Sequence, residues 1–109
     1  MIYFDNAAST AVHPEVVKEM TPYFGTQYGN PSSIHQFGRK AKNAIENARK
    51  QVAALIGAEP HEILFTSGGT ESNNTILYGI PKSQGPKFVL NHIITSTIEH
   101  EAILEPCRD

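Results

Sequence analysis

The segment Phe65-Thr66-Ser67-Gly68-Gly69-Thr70-Glu71-Ser72-Asn73-Asn74 decides how this chain is read. It joins a short apolar stretch, Glu62 to Phe65, expected to be a strand, to the polar start of a helix through Ser-Gly-Gly-Thr. Two glycines can take up positive φ and let the backbone approach an anion closely. The first N–H groups of the following helix have no intrahelical partner, and the positive end of the helix dipole stands behind them. Thr70 adds a hydroxyl donor at the cap. No lysine follows the second glycine as in a Walker loop, and the spacing is not Gly-x-Gly-x-x-Gly, so the turn suits a single phosphate group. The same residues are also the vocabulary of a plain loop and N-cap, with Glu71 compensating the dipole.

The flanking pattern gives the turn its setting. Pro14 suits a first helical position, and Val16, Val17, Met20 and Phe24 form one apolar face before Gly25. Gly29-Asn30-Pro31 reads as a turn. Ile34, Phe37, Ala41, Ile45, Ala48, Val52 and Leu55 recur at helical steps, predicting a helix from about Ser33 to Ile56 that Gly57 closes. Lys40, Lys42, Arg49 and Lys50 lie mostly off that stripe, as a solvated face. A helix from Thr70 to Gly79 is expected to break at Gly79-Ile80-Pro81. A strand from Phe88 to Ser96 and a last helix from near Glu99 follow, with Pro106 interrupting it. Strand, helix, strand, helix implies an α/β unit, whose ligands bind beyond the carboxyl ends of the strands, where Ser67 to Thr70 and Thr97 to His100 fall.

Composition narrows the function classes. At 109 residues the chain is one domain at most, and 39% hydrophobic residues with 18% charged suit a globular protein. A net charge of −2 with no basic cluster argues against nucleic acid or an anionic membrane surface. No apolar run is long enough for a membrane helix, and the N-terminus lacks the pattern of a secretory signal. One cysteine excludes an internal disulfide and fits a reducing compartment, so a cytoplasmic protein is expected. His13, His35, His61 and His92 are scattered without metal-ligand spacing, so no metal site is expected.

Three further blocks carry a resemblance: Tyr3-Phe4-Asp5-Asn6-Ala7-Ala8-Ser9-Thr10, Gly29-Asn30-Pro31-Ser32-Ser33-Ile34-His35, and Ile93 to Leu104 with its Thr-Ser-Thr-Ile-Glu-His core. With the glycine turn, and in this order, they resemble the N-terminal part of the cysteine desulfurases, pyridoxal-phosphate enzymes of the class V aminotransferase group. The resemblance implies an incomplete N-terminal part of a fold-type-I transferase, α/β in class. Residues 1–57 would be an N-terminal loop and helices, and 58–109 the start of the cofactor-binding domain with the first strands of its sheet. It implies pyridoxal 5'-phosphate as cofactor, with Gly69 and Thr70 holding the phosphate and His100 as the catalytic histidine over the ring. A neutral imidazole at a helix start can stack and exchange protons, although a histidine there can equally just bond the first turn. Asn30 and His35 resemble positions at the mouth of the family's site, and Ala7, Ala8 and Ser9 a segment approaching the substrate. Asn73 and Asn74 read as solvated or locally bonded amides.

The complete family member takes L-cysteine, passes sulfur to an acceptor protein for iron–sulfur or thio-cofactor assembly, and is a homodimer. That chemistry needs a Schiff-base lysine and a nucleophilic cysteine in settings which none of Lys18, Lys40, Lys42, Lys50, Lys82, Lys87 or Cys107 matches. On its own the chain is therefore expected to be inactive. The alternatives are a non-catalytic remnant or split-gene fragment that binds a partner, and a piece of another class V aminotransferase.

Overall fold

The computed structural model describes residues 2–83 and 92–108, and the chain divides into two compact units, Met1–Ile63 and Leu64–Asp109. Every regular element among the described residues is helical.

In the first unit, helix α1 (Pro14–Met20) starts with proline at its N-terminus, and the Nδ1 atom of His13 caps it by accepting the Glu15 N–H at 3.3 Å. Glu15 in the first turn and Lys18 in the last complement the dipole. The expected single helix to Phe24 instead tightens into a 3-10 turn, Thr21–Phe24, which Gly25 ends. Pro22 is the physical reason, because it has no N–H to continue the α pattern.

Helix α2 (Gln36–Ile56) begins three residues later than the sequence predicts, and its cap is His35. Its Nδ1 accepts the Gly38 N–H at 3.3 Å. Asn30 organises the approach: its Oδ1 accepts the Ser32 N–H and its carbonyl the Ser33 N–H, both at 2.9 Å. Gly57 stops the helix in the left-handed region at φ 71°, and the Ala58 N–H reaches back to the Ala53 carbonyl at 2.9 Å, as expected for a glycine close.

The apolar stripe of α2 is only partly used. Ala53 is 1% exposed and Ala41 and Gly38 are buried, whereas Ile34 and Leu55 remain 90% and 85% exposed. The buried positions are the small ones. Arg49 also departs from the solvated face expected of it. It is half-buried, pairs with Glu46 at 3.3 Å, and donates to the Ile63 carbonyl, tying α2 to the chain after the 3-10 turn Pro60–Glu62.

In the second unit, helix α3 (Gly69–Ser83) packs against helix α4 (Glu101–Arg108). The expected break at Gly79-Ile80-Pro81 does not occur, and α3 continues to Ser83. A proline in a closing turn removes a single N–H, so only the Leu77 carbonyl loses a helical partner. By the same reasoning α4 accommodates Pro106 two residues before its end, leaving the Ala102 carbonyl without that bond.

Neither expected strand appears among the described residues. Glu62 belongs to a 3-10 turn closed by a Glu59–Glu62 capping box; Ile63 is extended, with φ −94° and ψ 123°, but residues 63–66 join no ladder. Of the second, Phe88 to Asn91 lies outside the described residues, and 92–96 carries no ladder. A strand exists through its neighbour's hydrogen bonds, so an apolar extended segment without one stays irregular.

Candidate functional site

The Ser-Gly-Gly-Thr turn is held from within. The Gly68 carbonyl accepts the Ser72 N–H at 3.1 Å, so Gly68 is the N-cap of α3 and Thr70 sits one residue inside the helix rather than at the cap. The Thr66 and Ser72 hydroxyls meet at 2.7 Å, and Glu71 reaches back so that one carboxylate oxygen accepts both the Ser67 N–H and its hydroxyl, at 2.6 and 2.7 Å. Positive φ is not the reason for the two glycines, since neither adopts it; among the described residues Gly57 has that conformation. Crowding is not the reason either, because a Cβ on Gly68 or Gly69 would meet nothing within 4 Å. What the glycines leave is open space beside the first-turn N–H groups, which is the room an anion needs.

The Ser67 hydroxyl and then its N–H hold the Glu71 carboxyl below its ordinary value of 4.5. A depressed carboxylate contributes to stability in full above 4.5, and that contribution is lost as the pH falls through the lower, folded value. The Ser67 amide resonance is therefore expected to titrate with a midpoint below 4.5, and to lose that step in Glu71→Gln. A midpoint at or above 4.5 would remove this contact from the folded turn.

His100 caps α4. Its Nδ1 accepts the Ala102 N–H at 3.0 Å, and its carbonyl accepts the Ile103 and Leu104 N–H groups at 2.8 and 3.2 Å. An Nδ1 that accepts a bond carries no proton, so the neutral ring has its proton on Nε2. Thr70 and His100, thirty residues apart in sequence, line one open cleft of about 470 Å³ between α3 and α4, together with Asn74, Tyr78, Glu101 and Ala102. Gly69 stands one residue before Thr70 at the helix start and is not among the residues lining the cleft.

These residues fit a phosphorylated aromatic cofactor. The start of α3 and the Thr70 hydroxyl offer donors to a phosphate, while the His100 imidazole, Tyr78, Ala102 and Pro106 offer flat or apolar surface to a ring. Glu101 and Glu105, also on the cleft, oppose an anion on their own side and favour its placement at the α3 end.

Asn74 departs from the solvated amide that the sequence suggests. It is half-buried, and its Oδ1 is buried without a hydrogen-bond partner, a state that costs roughly 1–3 kcal/mol. Its spacing from Thr70 is the signal that could have found it, because residues four apart share a helix face. Asn30 and His35 belong to the other unit, where each has a local capping task. Ala7, Ala8 and Ser9 are exposed there, Ser9 bonded to the Tyr3 hydroxyl at 2.8 Å. Among the described residues no cluster of three or more His, Cys, Asp or Glu side chains gathers, and no helix is long and apolar enough to cross a membrane.

Comparison with known proteins gives a consistent result. The chain is 52% identical over 108 residues to "Cysteine desulfurase IscS" of Rickettsia typhi, covering 98% of this chain and 26% of that protein. It is 51% identical over 106 residues to the protein of the same name from Dictyoglomus turgidum, covering 97% of this chain and 26% of that one. A solved structure described as a NifS-like protein superposes with a TM-score of 0.88 at 42% identity, over 98% of this chain and 29% of its own. The chain thus spans about a quarter of the length of these curated relatives, and it shares its fold with the matched part of the NifS-like structure. The family Aminotransferase class-V matches residues 2–109, and it is to this family that the chain belongs.

Proposed function

We propose that these residues form the N-terminal, phosphate-anchoring portion of a pyridoxal-phosphate-dependent cysteine desulfurase. The observation that carries this reading is the meeting of Thr70 and His100 on one cleft at the start of α3. Gly69 and Thr70 would hold the cofactor phosphate, and His100 would lie against the ring and handle a proton at Nε2. When bound, the cofactor supplies the electron sink for bond cleavage at the amino acid. The complete protein would be a cytoplasmic homodimer that converts L-cysteine to alanine and passes sulfur to an acceptor protein for iron–sulfur or thio-cofactor assembly. Residues 58–109 would begin the cofactor domain, with the first strands of its sheet forming once ladder neighbours flank them.

The chain by itself is expected to bind the cofactor without turning over cysteine. It should bind pyridoxal 5'-phosphate at least tenfold more tightly than pyridoxal, and inorganic phosphate should compete. Equal binding of both would overturn the phosphate assignment. Cysteine-dependent sulfide release by the protein captured from its native source, at whatever mass it has there, tests the desulfurase activity. Its absence there would favour a sister class V activity or a non-catalytic fragment that binds a partner. The fragment reading draws on a specific feature, the exposure of large apolar residues such as Ile94 and Ile98, at 98% and 91%.

A further inference from the structure

We propose that Asn74 is a positioning residue for His100, accepting its Nε2–H and so fixing the imidazole at both nitrogens. The role given to His100 rests on the cofactor reading above, but the pairing itself stands on the geometry of the two helices.

Nδ1 of His100 is committed to the Ala102 N–H, which leaves Nε2–H, on the far edge of the ring, as the donor the histidine can offer the cleft. Asn74 lines the same cleft and carries a buried carbonyl oxygen with no partner. One group has a proton to donate and the other has an acceptor to fill, on facing helices that pack together. The other hydroxyl donors on the cleft, Thr70 and Tyr78, lie on the same helix as Asn74, one turn before it and one turn beyond it. The pairing requires the Asn74 amide to rotate about its last side-chain bond, which exchanges Oδ1 with Nδ2 and brings the carbonyl oxygen toward the cleft. The closed pair then relieves the orphaned acceptor and locks the Nε2–H tautomer. A locked tautomer gives the ring one fixed orientation for stacking and stores its proton on Nε2, which the Asn74 bond must release before the proton can move.

The groups that would influence His100 are its own neighbours Glu101 and Glu105 on α4, and Asn74 and Tyr78 on α3. The test is therefore a site-resolved NMR titration of the whole chain without cofactor. In the unmodified protein, the Asn74 side-chain carbonyl carbon is expected to follow the His100 titration with the same midpoint, because protonating the ring changes the charge on its bonded partner. In Asn74→Asp the new carboxylate faces Nε2 and should raise the His100 midpoint by about one pH unit or more. His13, His35 and His61 should stay where they are, and Glu101→Gln and Glu105→Gln should leave the Asn74 carbon coupled to His100. An Asn74 carbon indifferent to His100 in the unmodified protein would overturn the proposal, and so would an Asn74→Asp effect no larger on His100 than on the other histidines. Coupling without any preference for the phosphorylated cofactor would leave the Asn74–His100 pair standing and remove the cofactor reading instead.

Discussion

Gly38→Ala is expected to destabilise the Met1–Ile63 unit by about 3 kcal/mol, although glycine to alanine inside a helix normally stabilises by roughly 0.5–1 kcal/mol. The sign reverses because α2 begins in contact with the loop before it. A Cβ at Gly38 would lie 2.2 Å from the Ser33 carbonyl oxygen and 2.7 Å from that of Asn30. Both obstacles are backbone, and neither can retreat freely. The Asn30 carbonyl accepts the Ser33 N–H at 2.9 Å, and the Asn30 side chain holds the Ser32 N–H at 2.9 Å. Moving Gly38 away instead would break the His35 cap, whose Nδ1 accepts the Gly38 N–H itself. Gly29 is also tight, though less so: a Cβ there would lie 2.7 Å from the Phe37 carbonyl oxygen, beside the Tyr28–Phe37 stack with ring centroids 5.4 Å apart. The loop and the helix start are thus one packed unit without slack. Gly25→Ala is the control, since a Cβ there meets nothing within 4 Å. Denaturant unfolding followed by helical circular dichroism checks both variants. A Gly38→Ala midpoint equal to that of Gly25→Ala would show that the close approach is not maintained in solution.

Much of this is legible in the sequence because it is local. Pro14 at a helix start and Gly57 at a helix end act through their own backbone constraints, and the sequence places both correctly. The imidazole caps at His13 and His35 are not legible, because the usual capping vocabulary is hydroxyl, amide and carboxylate, whereas a first-turn bond from His100 is one of the two readings its place at a helix start allows. Glycine requirements are visible in the sequence, but their causes are not. Gly68 and Gly69 suggest positive φ, yet Gly57 alone among the described residues has it, while the crowded glycines are Gly29 and Gly38. The strand expected at 62–65 is absent for a different reason. An apolar tetrapeptide states a preference, but pairing is decided by segments distant in sequence. In the site, the resemblance to the desulfurases points to Thr70 and His100 separately; only the packing of α3 on α4 brings them to one cleft and adds Asn74 to them.

Gly69→Asp separates a plain helix cap from an anion site, because the two readings demand opposite results. If the turn only starts a helix, the variant should fold as well as the unmodified chain. The space around Gly69 is open, its φ is not positive, and a carboxylate in a first turn gains roughly 0.3–1 kcal/mol from the dipole. If the turn anchors a phosphate, the same carboxylate enters the volume the anion must occupy. Two unit charges about 5 Å apart at an effective dielectric near 20 repel by on the order of 3 kcal/mol, and the phosphate carries more than one charge. Binding of pyridoxal 5'-phosphate should therefore fall by roughly a hundredfold or more, with the unfolding midpoint unchanged or raised. Thr70→Val is the milder companion; it deletes one hydroxyl donor from the same cleft and should weaken binding by roughly tenfold. The ordering of the two variants is decisive. A charge placed against an anion outweighs the loss of one neutral hydrogen bond, whereas at a cap neither change should alter cofactor affinity at all. Cofactor binding retained in a well-folded Gly69→Asp chain would move the phosphate away from α3 and leave Ser67, Glu71 and Ser72 as the bonded shoulder of an ordinary helix start.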